Sequence, residues 1–238
     1  MRFAALATDY DGTLAHQGLV GSAVLEALQQ FRSSGRRLIL VTGRTLESLT
    51  GAFPMLELFD RIVAENGSTI YNPGTKVERI LAEAPPQPFF EALEQRGVAV
   101  LEVGHVIVAM AEAEKKSVLD AIRDTGLELQ IIFNKGSLMV LPTGVNKATG
   151  LQAAAEELGL SLGSMVGIGD AENDHAFLAA VEFSAAVANA LPALKQRVQL
   201  VTDGEDSAGV IELLQRLVNG DFDGRPIRRT IRKDSRPL

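Results

Sequence analysis

The chain has 238 residues, 46% of them apolar, and no low-complexity tract, which excludes a disordered or fibrous protein and leaves one large domain or a core carrying an insertion. With no cysteine, disulfides, thiolate nucleophiles and Cys-ligated metals are excluded, so any metal must rest on oxygen or histidine. A net charge of -7 argues against a general nucleic-acid binder, and no stretch approaches a membrane span.

The apolar opening, Phe3 to Ala7, predicts a buried strand that stops at Thr8 and Asp9, too short for a signal peptide; a cytoplasmic protein is expected. Next, Val24, Leu25, Leu28 and Phe31 share one face of a helix that Gly35 ends. Further apolar runs end at Gly43, Glu65, Asp170 and Asp203, most followed by amphipathic stretches of helical period. That alternation predicts an α/β fold with a Rossmann-like parallel sheet.

Between Pro85 and Pro142 the rhythm changes. A helix around Phe89, Phe90 and Leu93 precedes strands near 98–102 and 105–111; a helix around Val118, Leu119 and Ile122 precedes strands near 129–133 and 137–141. Helix-strand-strand written twice, with Gly104 and Asn134-Lys135-Gly136 as turns, predicts a small α+β cap inserted into the parallel domain. The expected division is 1–84 with 143–220 as core, 85–142 as cap, and 221–238 as a basic, solvated tail.

Ligands of an open parallel sheet bind beyond the carboxyl ends of its strands, so polar residues that end separate runs gather in one crevice. Asp9 and Asp11 stand two apart and project to one side of an extended chain, with Gly12 beside them. Taken alone, the pair reads equally well as a turn and a helix cap. Thr42 and Gly43, followed by Arg44, offer a hydroxyl and an amide to a phosphate oxygen, although a plain strand end explains them too. Lys147 follows Asn146 in a first helical turn, where it opposes the macrodipole and a bound anion would account for it. If a helix starts at Asp170 or just after, then Asp170 and Asp174 lie one turn apart, suited to a hard cation. Asn66 and His105 read by default as a turn residue and a surface histidine.

In this order, each at a strand end, these clusters resemble the haloacid dehalogenase superfamily. Asp9-Tyr10-Asp11-Gly12-Thr13-Leu14 is similar to its Asp-x-Asp-Gly-Thr-Leu signature, Thr42 to its second motif, Lys147 to its third and Gly169-Asp170 through Asp174 to its fourth. The inserted module resembles a short α/β cap of the branch that holds sugar-phosphate and phosphoglycolate phosphatases. The resemblance implies a phosphatase for a small phosphorylated metabolite, with Asp9 as nucleophile and Asp11 as acid and base. It implies Mg2+ on the Asp9 carboxylate, the Asp11 backbone carbonyl, Asp170 and Asp174. Thr42, Lys147 and the amides near Gly12 and Gly43 would bind the phosphoryl group, with Asn173 on the substrate side; Arg44 reads equally as a substrate-binding residue of the crevice or as an exposed arginine. Asp11 would then have to hold a proton near neutral pH. The rivals are a phosphotransferase or mutase of the same superfamily and a phospho-accepting signalling module, which phosphate release to water would separate.

Overall fold

The computed structural model describes residues 2–222. In chain order the first part runs β1 (Ala5–Thr8), α1 (Ser22–Ser33), β2 (Arg37–Val41), α2 (Leu46–Ala52), β3 (Arg61–Ala64), β4 (Thr69–Asn72) and β5 (Val77–Ile80). The inserted part is α3 (Gln87–Glu94), β6 (Val100–Val103), β7 (Val108–Ala111), α4 (Lys115–Thr125), β8 (Leu129–Asn134) and β9 (Ser137–Pro142). The chain then returns through α5 (Lys147–Glu157), β10 (Met165–Gly169), α6 (His175–Ala180), β11 (Phe183–Ala186), α7 (Pro192–Lys195), β12 (Leu200–Val201) and α8 (Asp206–Val218).

Eight strands form one sheet in the order β12-β11-β10-β1-β2-β3-β4-β5, parallel from β12 to β3 and antiparallel at β4 and β5. The sheet is therefore the expected α/β layer with an antiparallel edge that the apolar rhythm did not predict. Every residue of β5 is exposed, so no buried face marks it in the sequence. Strand β11, Phe-Ser-Ala-Ala, was also unexpected; its small residues give little apolar signal although all four are buried. At the centre β1 and β10 are buried throughout, as strands covered on both faces must be. Helix α1 presents Val24, Ala27, Leu28 and Phe31 to the core, and α8 presents Val210, Leu213, Leu214 and Leu217. Their spacing of three and four residues places each set on one helical face.

The second sheet, β6-β7-β9-β8, is antiparallel and carries α3 and α4 on one face. There Phe89, Leu93, Val118 and Ala121 pack on Val108, Met110, Leu138 and Val140. The alternate residues Ile107, Ala109, Met139 and Leu141 form a separate apolar cluster on the opposite face. Met139 shows where that face looks: its Cε lies 3.0 Å from where a β carbon on Gly43 would stand. Register pairs Val108 with Val140 and Ala111 with Ser137, so the β6–β7 turn and the β8–β9 turn lie at opposite ends of this sheet.

Helix α5 reaches the large sheet at close range. A β carbon on Gly150 would fall 2.5 Å from Val63 Cγ1 and 2.6 Å from Gly67 Cα. Gly150→Ala is expected to cost about 1–3 kcal/mol in chemical denaturation, because backbone must yield to admit the methyl. An unchanged midpoint would mean that α5 and β3 are free to separate.

Of the basic stretch expected as a tail, only Asp221 and Phe222 are described, and Phe222 packs against the core. Asp221 accepts a hydrogen bond from Arg36 at 2.8 Å, and Phe222 stacks on Phe183 with ring centroids 4.4 Å apart. The remainder lies outside the described residues. Among the described residues, no helix is long and apolar enough to cross a membrane.

Candidate active site

Adjacent parallel strands in register bring their carboxyl ends side by side. Thr8 of β1 aligns with Ile168 of β10 and with Leu40 of β2, so Asp9, Asp170 and Thr42 follow at neighbouring strand ends. Asp9 N–H donates to Ile168 O at 3.0 Å, and Thr42 N–H to Val63 O at 2.8 Å, which ties both residues to the sheet. Lys147 enters from the first turn of α5, where Asn146 caps the helix by accepting from Ala148 N–H and Thr149 N–H.

Lys147 is buried and donates to Asp9 Oδ1 and to Asp174 Oδ1, each at 2.6 Å. The anion expected to explain a lysine in this helical turn is thus a pair of carboxylates of the chain itself. Burial works against the ammonium, but the charges of Asp174 and Asp9 more than offset it and hold Lys147 above its usual range. Asp9 is pushed well above the ordinary carboxylate range, first by burial and then by the charge of Asp174, with Lys147 pulling the other way. Asp170 is also raised, by burial and by Asp174.

The acidic run differs in detail from the sequence expectation. No helix starts at Asp170; a 3-10 turn covers Glu172–Asp174 and α6 follows from His175. Asp174 instead folds back, its Oδ2 accepting Asp170 N–H at 2.8 Å and Ala171 N–H at 3.0 Å. Backbone amides at the end of β10 therefore fix the Asp174 carboxylate beside Asp170. Thr13 donates to Asp170 Oδ1 at 3.2 Å.

Asp9, Asp170 and Asp174 each offer one oxygen, all within 4.8 Å of one another, and all three side chains are buried. Three buried carboxylates in mutual repulsion, with hard oxygen donors converging, fit a small divalent cation. The Asp11 carboxylate is not in this group. It accepts two hydrogen bonds from Arg44, from Nε and from Nη2, both at 2.7 Å. Both oxygens of the Asp11 carboxylate thus face a bidentate guanidinium, and Arg44 turns to the crevice rather than to solvent. Its guanidinium also lies 5.2 Å from the centre of the Tyr10 ring.

Thr42 is buried and accepts Arg44 N–H through its Oγ1 at 3.1 Å, while its carbonyl accepts Asn66 N–H at 2.9 Å. Asn173 donates to Asn66 Oδ1 at 3.1 Å, leaving Asn173 Oδ1 and Asn66 Nδ2 buried without a partner among the described residues. Two orphaned polar atoms beside Gly43 are groups a ligand can satisfy. Asn66 is both a turn residue, with φ 55°, and a wall of the crevice. The His105 ring keeps to the surface with Glu78 at 3.1 Å.

Two of the contacts that join cap to core among the described residues are notable for escaping the sequence reading. Glu65, at the end of β3, is 1% exposed and accepts three backbone N–H groups of the cap: His105 at 2.9 Å, Val106 at 2.8 Å and Ile107 at 3.1 Å. The signals were Glu65 itself, an acid ending an apolar run, and Gly104, where a β carbon would stand 2.4 Å from the Glu65 carboxyl carbon. The second is Lys135, whose ammonium is hydrogen-bonded to Asp170 from the β8–β9 turn.

Residues 6–125 and 102–214 match the family model described as haloacid dehalogenase-like hydrolase. Phosphoglycolate phosphatase 2 of Saccharolobus solfataricus is 29% identical over 229 residues, covering 91% of this chain and 93% of that protein. The crystal structure of Thermoplasma acidophilum 0175 has a TM-score of 0.78 at 16% identity, covering 92% of this chain and 99% of that one. That of a HAD subclass IIB sugar phosphatase has a TM-score of 0.74 at 21% identity, covering 90% and 98%. Such coverage takes in both sheets, so core and cap are shared.

Proposed function

Since the chain belongs to the haloacid dehalogenase-like hydrolase family, we propose that it is a Mg2+-dependent phosphatase that cleaves a small phosphate ester through an aspartyl-phosphate on Asp9. The observation that carries this reading is the buried constellation of Asp9, Asp170 and Asp174 around Lys147, at the ends of β1 and β10. The curated relative's name makes phosphoglycolate the first ester to try. Residues 1–84 and 143–220 would form the catalytic core and 85–142 the cap.

Asp9 would attack phosphorus while the bond to the leaving oxygen breaks and that oxygen takes a proton from Asp11. Water would then attack the aspartyl-phosphate, giving its proton to Asp11 as the bond to Asp9 breaks. Arg44 must free an Asp11 oxygen for either proton transfer, so pairing and release of this arginine belong to the cycle. Lys147, Thr42 and the Gly43 amide would hold the phosphoryl oxygens, and Lys147 would keep Asp9 oriented. Asn173 and Asn66 would satisfy their orphaned atoms on bound ligand. The apolar cap face of Ile107, Ala109, Met139 and Leu141 would exclude bulk water from the crevice. Asp9, Asp170 and Asp174, with the Asp11 carbonyl, would hold Mg2+, which supplies neutralisation of phosphoryl charge when bound.

The test is phosphate release to water from a panel of esters, with and without Mg2+. Metal-dependent release supports the reading, and transfer only to a sugar or a persistent phosphoprotein sinks it. Calorimetry supplies a second check: Asp170→Asn is expected to weaken Mg2+ binding by roughly tenfold or more, since it removes an anionic donor. Equal affinity in the two proteins would exclude Asp170 as a ligand.

A further inference from the structure

Lys135 occupies a place the proposed chemistry does not use. It sits in the two-residue turn between β8 and β9 with φ 43°, followed by Gly136 at φ 85°. Left-handed backbone at two successive positions is the habit of tight hairpins, where Asn, Asp and Gly are favoured and a long side chain is not. Backbone strain of this kind invites a search for function. The core fixes the turn from two sides: Lys135 N–H donates to Glu172 Oε2 at 3.2 Å, and the ammonium is hydrogen-bonded to Asp170. Its Nζ lies 2.6 Å from where a β carbon on Gly12 would stand, so the charge hangs over the residue that follows Asp11.

The other crevice cations already have parts in the proposed chemistry. Lys147 is buried between Asp9 and Asp174, and Arg44 holds Asp11. Lys135, like Lys147, pairs within the carboxylate group that fits a divalent cation, where a metal and its ammonium compete for Asp170; unlike Lys147 it is not buried. Its side chain is 42% exposed, so it is free to turn to another anion. The cap face beside it is the apolar cluster of Ile107, Ala109, Met139 and Leu141. A single point charge on such a surface selects one anionic group by electrostatics and rejects a neutral one.

We propose that Lys135 is the specificity residue of the cap, binding a carboxylate carried by the leaving-group side of the substrate. The assignment rests on the phosphatase reading, in which Asp11, next to Gly12, protonates the leaving oxygen. It accounts for a cap cation placed at Gly12, and it makes phospho-acids with a short carboxylated alcohol the substrate class.

The test compares kcat/KM for phosphoglycolate and for ethyl phosphate in the wild-type chain, Lys135→Ala and Lys135→Arg. The preference for phosphoglycolate is expected to fall on the order of 10- to 100-fold in Lys135→Ala, the effect of a charged hydrogen bond, and to return in part in Lys135→Arg. Calorimetry in Mg2+ with two non-hydrolysable ligands is the second readout. Phosphonopropionate should lose affinity in Lys135→Ala, with propylphosphonate losing far less. Equal losses on both esters and both phosphonates would assign Lys135 to the phosphoryl group and overturn the proposal, as would an unchanged preference. If the wild-type chain released phosphate from no ester, the phosphatase reading would fall, and the calorimetry alone would still decide whether Lys135 binds a carboxylate.

Discussion

Asp9→Asn leaves a folded protein whose phosphate release falls by roughly three orders of magnitude or more, the loss expected when the nucleophile of a covalent mechanism is removed. The substitution keeps shape and an oxygen that can accept from Lys147, now 2.6 Å from the carboxylate. It also removes one of three buried carboxylates in mutual repulsion. A group whose folded pKa is raised contributes stability that is present at low pH and lost as pH rises through the folded value. Asp9 is such a group, so without metal its contribution to the fold falls as pH rises. The Asn variant should therefore melt no lower than wild type in the absence of metal. Turnover within about tenfold of wild type would sink the nucleophile assignment, and a collapsed melting curve would leave the loss without catalytic meaning.

The second large effect concerns the link between the sheets. Glu65→Ala strands three backbone N–H groups, of which Val106 and Ile107 belong to residues 1% exposed. Each buried donor without an acceptor costs about 1–3 kcal/mol, so the variant loses several kcal/mol or opens the contact to water. Gly104→Ala attacks the same joint from the other side, because its methyl would stand 2.4 Å from the Glu65 carboxyl carbon. Hydrogen exchange at residues 105–107 should quicken by about tenfold or more in either variant. The double variant should be little worse than the more damaged single one, as expected for two groups of one contact. Slow exchange at those amides in Glu65→Ala would show that another acceptor holds them.

Much of the architecture was legible because burial writes itself into residue spacing. Helix α1 and the core strands β1, β2, β3 and β10 are apolar runs closed by Gly or a polar residue, and the inserted helix-strand-strand repeat follows from its two amphipathic helices and paired strands. Edge strand β5 was not legible, since its Val-Glu-Arg-Ile residues are all exposed. The gathering of Asp9, Thr42 and Asp170 followed from the rule that parallel strands end at a common crevice, whereas Lys147 arrives from the first turn of α5. What distinguishes one side chain's partner from another did not follow. Arg44 holding Asp11, Asp174 turning back to its own backbone, and Glu65 caught by the cap amides all depend on where loops bring donors together. No spacing rule encodes that. A long basic side chain at residue 135 looked like an ordinary hairpin residue for the same reason.

The Glu65 joint has a consequence for traffic through the site. A carboxylate tied to three amides at one end of the cap sheet is a fixed point, so the easiest travel of the cap is a tilt about it. The displacement is then smallest beside Glu65 and largest at the far end, once the β8–β9 turn lets go of Asp170 and Glu172. Molecules would enter and leave by that doorway, and its width at full tilt would cap the girth of what can be admitted before any recognition begins.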